Sequence, residues 1–494
     1  MKNYILFYLL MPYWVMGQDT HWIISKQWGS LPDINASLVD IQFETDSIHI
    51  TTLYPQNFVT EETNASISDK SGNLLFYTNG LTIFHAQHDT LQGSKNFNKG
   101  LWFYDGHDDN LPFRQSVMIL PHPSNDNLYY IFHKNPTIYE GNIFQAHFLQ
   151  YSVIDIQQDS GRGVMIQKNV PIIENDWICN GYVTACKHAN GKDWWILSPK
   201  LLQNEYYTHL FTGDSILSYG KQKIGPTGAN FQQGLAVFTP DGTKYIVGQQ
   251  QINSITIFDF DRCTGLLSNP KYFTIQTPMN ESVWGDIAVS PNSRYLYATC
   301  YHHILQFDLQ ASGILASQQV VASYDGYICT FPNDNTPYGN ALFFTPQLAP
   351  NGKIYICSFG ATDVYTVINQ PDSAGLACDV QQHALDFNKL VSYSIPNFPN
   401  YRLGAAATPC YGVGVENEVG RGFQIYPNPA TTTLHISVAE KAELHILNTL
   451  GQEVCYISSF SGEKELSLLG FAAGVYYVRV QGENGVFTTK FFKE

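Results

Sequence analysis

The stretch VFTPDGTKYIVG, Val237 to Gly248, reads as a strand, a tight turn and a second strand. Pro240 presets the entry to the turn, and Gly242 accepts the positive φ that a tight turn demands. Working outward, Gly234 to Thr239 is the inner strand and Thr243 to Gln249 the second. Ser254 to Phe260 is the third, and an outer fourth lies near Lys271 to Ile275. Four short strands joined by turns make one antiparallel unit that cannot bury both of its faces alone.

The same strand–turn–aromatic-strand pattern recurs as ISDKSGNLLFYTNG from Ile67, LPHPSNDNLYYIF from Leu120 and CKHANGKDWWIL from Cys186. It returns as VSPNSRYLYATC from Val289 and LAPNGKIYICS from Leu348. The copies lie roughly 50 to 65 residues apart, close to the length of a four-stranded propeller blade. In the next copy, Asp286 to Val289, Arg294 to Cys300 and His303 to Leu309 repeat the strand order. Asp19 to Ile50 together with Ala384 to Thr408 would supply one more blade from both ends of the domain. Closing the ring in that way removes exposed sheet edges. The expected fold is therefore all-β: a seven-bladed β-propeller, with six or eight blades as the alternatives, followed by a small Ig-like β-sandwich.

Composition agrees. The 494 residues include 31 Tyr, 30 Phe and 8 Trp, and only 14% are charged. Aromatic and β-branched side chains suit a half-buried pleated surface. The formal net charge is −15. An acidic chain repels phosphate backbones and anionic lipid, which argues against nucleic-acid binding and against binding to a membrane surface. Lys2, the apolar run Tyr4 to Met16 and small Gly17 before Gln18 read as an export signal spanning residues 1–17. No other segment has the apolar length of a membrane span. The nine cysteines are too sparse for a disulfide-built scaffold. Cys378 with Cys410 is the favoured pair, and buried free thiols are the alternative.

Residues 18–410 are thus expected to form the propeller. YGVGVENEVGRG, 411–422, reads as a linker, and 423–494 as the sandwich, built from LHISV, ELHILNT, QEVCYIS, KELSLL, GVYYVRV and GVFTTKFF. Four features of this tail carry a resemblance: the opening YPNPATTTLHI, the central ILNTLGQEV, the late LSLLGFAAGVYYVRV and the closing TTKFFKE. In order and spacing they resemble the type A C-terminal sorting domain of type IX secretion. That resemblance implies handling by the type IX machinery, passage across the outer membrane, and attachment to the surface or release. ISDKSGNLLFYTNG, KHANGKDWWIL, FDFDRCTG, APNGKIYI and IPNFPNYRLG resemble the propeller ectodomains of such cargo, which often accompany gliding-associated surface proteins. This second resemblance implies fold and location and carries no catalytic residues with it.

Candidate chemistry follows from the blade register, because propellers usually bind ligands at the mouth of the central channel. Residues at the entry of the innermost strands are Glu61 and Glu62, Arg114 and Gln115, Gln232 and Gln233, Asp286, and Tyr401 with Arg402. Acids and arginines converging there would bind a polar ligand, or serve as general acid and base. Their other reading is a hydrated channel whose groups pair with one another. Asp105, Asp108 and Asp109 in YDGHDDN offer hard oxygen ligands to calcium, set against a plain solvated loop. Calcium is the only cofactor suggested. His302 and His303 are strand neighbours that point to opposite faces, which disfavours a shared metal. Two functions follow: a surface module that binds a polysaccharide or a protein, or an extracellular polysaccharide hydrolase or lyase using Glu61 and Asp286.

Overall fold

The computed structural model describes residues 17–494 except 26–37, 45–46, 54–57, 61, 101–109, 140–142, 227–233, 250–251, 279–282, 331–335, 409, 411–422, 449–451 and 483–484. It divides into two compact units, Met1–Ala406 and Ala407–Glu494. The expected export signal lies outside the described residues, apart from Gly17.

Among the described residues, the first unit holds seven sheets of three or four strands and one two-stranded hairpin, Ile328–Thr330 with Pro337–Asn340. Every sheet is an antiparallel meander in chain order. Blade 1 runs from His21 to Leu53 and blade 2 from Ala65 to His85, each with three strands. Blades 3 to 7 have four strands each and span Val117–Ile173, Thr184–Lys223, Gly234–Thr274, Val283–Ser323 and Phe343–Val391. Blade 5 bears out the opening reading closely, with strands Gly234–Phe238, Lys244–Gln249, Ser254–Phe260 and Leu267–Thr274.

The repeated motif is the turn between the first and second strands of a blade. In blade 5 Thr239 N–H donates to Lys244 O and Gly242 N–H to Thr239 O. Ser290 with Tyr295 and Ala349 with Lys353 repeat the first bond in blades 6 and 7. An Asp or Asn oxygen secures each turn: Asp241 accepts from Thr243 N–H, Asn292 from Arg294 N–H, Asn351 from Lys353 N–H. Gly242 and Gly352 sit at φ +72° and +78°, the left-handed region that glycine occupies without strain.

Alternate side chains of each strand pack against opposite neighbouring blades, because the strand period is two. Tyr245 and Val247 join Trp195, Leu197 and Tyr206 of blade 4. Ile246 joins Ile287, Leu296 and Ala298 of blade 6. The ring closes where Trp22, Val39, Ile41 and Phe43 of blade 1 pack on Phe344, Tyr355 and Tyr365 of blade 7.

Closure differs in detail from the two-ended blade read in the sequence. Residues 384–391 belong to the outer strand of blade 7, Val380–Val391. The following segment, 392–404, runs antiparallel beside His21–Ser25 on the axis side of blade 1, as an irregular strap. Ser392 N–H donates to Ser25 O, the Phe398 ring lies 6.0 Å from that of Trp22, and Arg402 meets Asp19. Pro396 and Pro399 have no N–H to give to a ladder, so the strap is not a regular strand.

Among the described residues the second unit is a β-sandwich-like sheet of five strands, Phe423–Tyr426, Thr433–Leu447, Glu453–Ser467, Gly474–Gly482 and Gly485–Lys493. LHISV and ELHILNT, expected as separate strands, fall largely within the one long strand Thr433–Leu447, as do QEVCYIS and KELSLL within Glu453–Ser467. The register shifts between Val438 and Ala442 and again between Ala442 and Leu444, where the paired strands bend without breaking. Leu434, Ile436, Val438, Leu444, Ile446, Val478 and Val480 form its core, as the alternation predicts.

Candidate functional site

The starts of the inner strands bring Glu62, Arg114 and Asp286 together, as the register predicts. Asp286 is fully buried and accepts both from the Arg114 guanidinium and, at 2.8 Å, from Thr345 Oγ1. Arg114 Nε lies 3.6 Å from Glu62 Oε2, and the guanidinium stacks 4.6 Å over the Phe344 ring. Burial opposes charge on both partners. In Arg114 the pull of Asp286 and then Glu62 prevails and lifts its pKa above the ordinary guanidinium value. In Asp286 burial raises the carboxyl, against the pull of Arg114 and Thr345. A permanently protonated guanidinium in direct contact keeps this an ion pair. These groups face one another, and among the described residues cavities of about 40 and 50 Å3 lie beside them.

Gln115 is used structurally: its amide exchanges two hydrogen bonds of 2.8 Å with the backbone of Ala236, as an extra strand residue would. Arg402 is not with Arg114. Both its terminal nitrogens bond Asp19 at 2.6 Å, and Tyr401 is half-buried with its hydroxyl on Ile119 O. The strap explains the separation, because it crosses the ring instead of starting a strand. Asn397 marks the crossing: its N–H donates to Asn64 O, and its amide donates to Val117 O and Val183 O, on blades 2, 3 and 4.

The sizeable cavity, about 580 Å3, lies at the other end of the inner strands. Its rim is built from the repeated turns of blades 5, 6 and 7, at Pro240–Asp241, Pro291–Ser293 and Pro350, and its remaining wall is the strap, Asn397–Gly404. Of the strand-entry candidates Gln115 and Arg402 line it, while the turn residues of its rim were not among them. The available signal was the repeated turn itself, three neighbouring copies of which carry a proline.

Glu61, Gln232 and Gln233, and the proposed calcium ligands Asp105, Asp108 and Asp109, lie outside the described residues. Among the described residues no group of three His, Cys, Asp or Glu side chains is placed to hold a metal. The expected pair Cys378–Cys410 is not formed. Cys378 is a free, fully buried thiol packed among Ile354, Ile356 and Tyr297. The disulfide-bonded cysteines are Cys410 and Cys263. Cys263 follows Arg262, whose guanidinium binds Gly404 O, six residues before Cys410. No described helix is long and apolar enough to cross a membrane.

Comparison with known proteins adds the following. Residues 424–494 match the family of secretion system C-terminal sorting domains. Beta-agarase A of Zobellia galactanivorans is 33% identical over 76 residues, which are 15% of this chain and 14% of that protein, so the chain spans about a seventh of that relative. Among solved structures, a functionally unknown protein from Desulfotomaculum acetoxidans shares 15% identity, covering 76% of this chain and 100% of that one, with a TM-score of 0.40. The periplasmic gluconolactonase of Pseudomonas aeruginosa shares 9%, covering 90% and 99%, with a TM-score of 0.36. The calcium-binding protein regucalcin from Agrobacterium tumefaciens shares 13%, covering 70% and 95%, with a TM-score of 0.33. At such identities the likeness concerns fold alone. The tail match supports the chain as cargo of type IX secretion, destined for the outer surface or the medium: an all-β propeller carrying a C-terminal sorting domain.

Proposed function

We propose that this exported propeller is a binding module for a surface polysaccharide or protein, held in the cavity at the turn end of the inner strands. The observation that carries this reading is the neutralisation of Asp286. A glycosidase needs two carboxylates facing a shared space, one of them free to give a proton. Asp286 instead lies against Arg114 and Thr345, and Glu62 faces the same arginine. The alternative, a polysaccharide hydrolase or lyase, would require chemistry from an Asp286 locked in an ion pair.

The test is equilibrium binding of the purified full chain to polysaccharides and to outer-surface proteins, with bound glycans recovered and weighed. Intact ligand, retained less well by the Arg402→Ala variant, supports the module. Shortened glycans that accumulate with time would replace this reading with the hydrolase.

A further inference from the structure

The chemistry of the cavity wall narrows the class of ligand. Three charged residues line it: Asp19, Arg402 and Asp241. Asp19 and Arg402 are joined by two bonds of 2.6 Å. Asp241 Oδ1 accepts from Thr239 Oγ1 at 2.6 Å, Thr243 N–H at 3.0 Å and Thr243 Oγ1 at 2.9 Å. These charges are already matched within the protein, so an ionic ligand would have to compete for them.

The aromatic rings are committed too. Phe238 packs on Tyr245 and Phe260, with centroids 5.0 and 4.8 Å apart. Phe398 lies between Trp22 and Tyr401, at 6.0 and 6.4 Å. Both rings line the cavity half-buried, held edge-on or tilted by these neighbours. What remains is aliphatic, Val237, Leu348 and Leu403 with Ala236, Ala288 and Ala349, beneath a rim of proline rings. The uncharged polar side chains on the wall are the amides of Gln115, Asn292, Gln347, Asn397 and Asn400 and the hydroxyls of Thr184 and Ser293.

We propose that the cavity takes an uncharged, aliphatic-bodied ligand bearing amide or hydroxyl groups, and not an oligosaccharide. This rests on the reading of the cavity as the binding site and decides between its two ligand classes. At about 580 Å3 the space suits a ligand of a few residues' bulk, within the usual range of pockets. Apolar walls supply the affinity, and the amides fix orientation.

The experiment titrates the full chain with Nile red, a neutral apolar dye, and then displaces it. Saturable emission is expected, weakened about tenfold or more by Gln347→Trp, which fills the space, and by Leu348→Glu, which charges the wall. Thermal melts of both variants separate loss of the site from loss of the fold, and Val237→Thr is a milder third variant should either fail to fold. Displacement by a blocked Val/Leu/Pro pentapeptide identifies a protein segment as the source of this chemistry, and displacement by a long-chain alcohol alone identifies a small amphiphile. Neutral oligosaccharides that bind at the site, with binding lost in the same variants, overturn this inference and leave the binding module standing. Dye emission unchanged by every variant, with no oligosaccharide bound, overturns both.

Discussion

Arg114 and Asp286 show how a single contact can be both a stabilising feature and a liability. Removing one partner leaves a buried charge without its counterion, which costs on the order of 3–5 kcal/mol, whereas replacing both by apolar groups is often neutral. Arg114→Met should therefore lower the urea midpoint sharply, and the double variant Arg114→Met with Asp286→Leu should recover much of the loss. Equal midpoints for the two variants would contradict the pairing. Three other buried groups contribute to the pH response. Burial pulls His133 down to about 3, His209 to about 4 and Lys134 to about 7. In each case the unfolded chain binds the proton more readily, so stability rises with pH wherever only the unfolded state is protonated. For the histidines that window lies below pH 6.5 and stability drains away as the pH falls. For Lys134, whose ammonium bonds the carbonyls of Cys179 and Gly181, the window runs from about 7 to 10.5. His133→Gln should flatten the acid limb of a melting-temperature profile and Lys134→Met the alkaline limb.

The turns and strands are the level at which the chain was most legible. Asp241-Gly242, Asn292-Ser293 and Asn351-Gly352 announce their turns because few residue types satisfy that geometry, and the aromatic strands after them follow in register. Gly242→Ala tests the point. A Cβ there would come within 2.7 Å of Arg262 Cδ and Leu403 Cδ2, on a backbone at φ +72°. A loss of about 1–2 kcal/mol in denaturant unfolding is expected. What the sequence hid was whatever depends on contacts between distant segments. Asn397 reads as an ordinary polar residue among prolines, yet it ties blades 2, 3 and 4 together. Cys263 reads as part of a local turn, yet it is one of the two cysteines that are disulfide-bonded. The entry cluster of Glu62, Arg114 and Asp286 was legible because register alone predicts it. Arg402 was misplaced because the same register was extended to a segment that forms no strand.

At the scale of the whole molecule, the sorting tail and the proposed binding cavity lie in separate units. Deleting Phe423 to Glu494 should leave the propeller folded and stop its export, with the protein accumulating in the periplasm; unchanged display at the surface would refute the role assigned to the tail. Removing the chain from residue 392 onward should do more than shorten the propeller. Blade 1 would lose its inner cover, and the single unfolding transition should broaden or split when followed by Trp22 fluorescence.

The strap also sets an order of events. Asp19 and Arg402 are separated by 383 positions along the chain, so joining them in an open coil would forfeit about 5 kcal/mol of loop entropy. Stacking the intervening blades first shortens that distance without the penalty. Within the propeller the clasp of the ring is therefore the last part to be made and the last to be fastened, and until it shuts, the edges of the first and final blades stay open to any other strand they meet. A chain that carries a sorting tail thus holds its most vulnerable moment to the closing of its propeller.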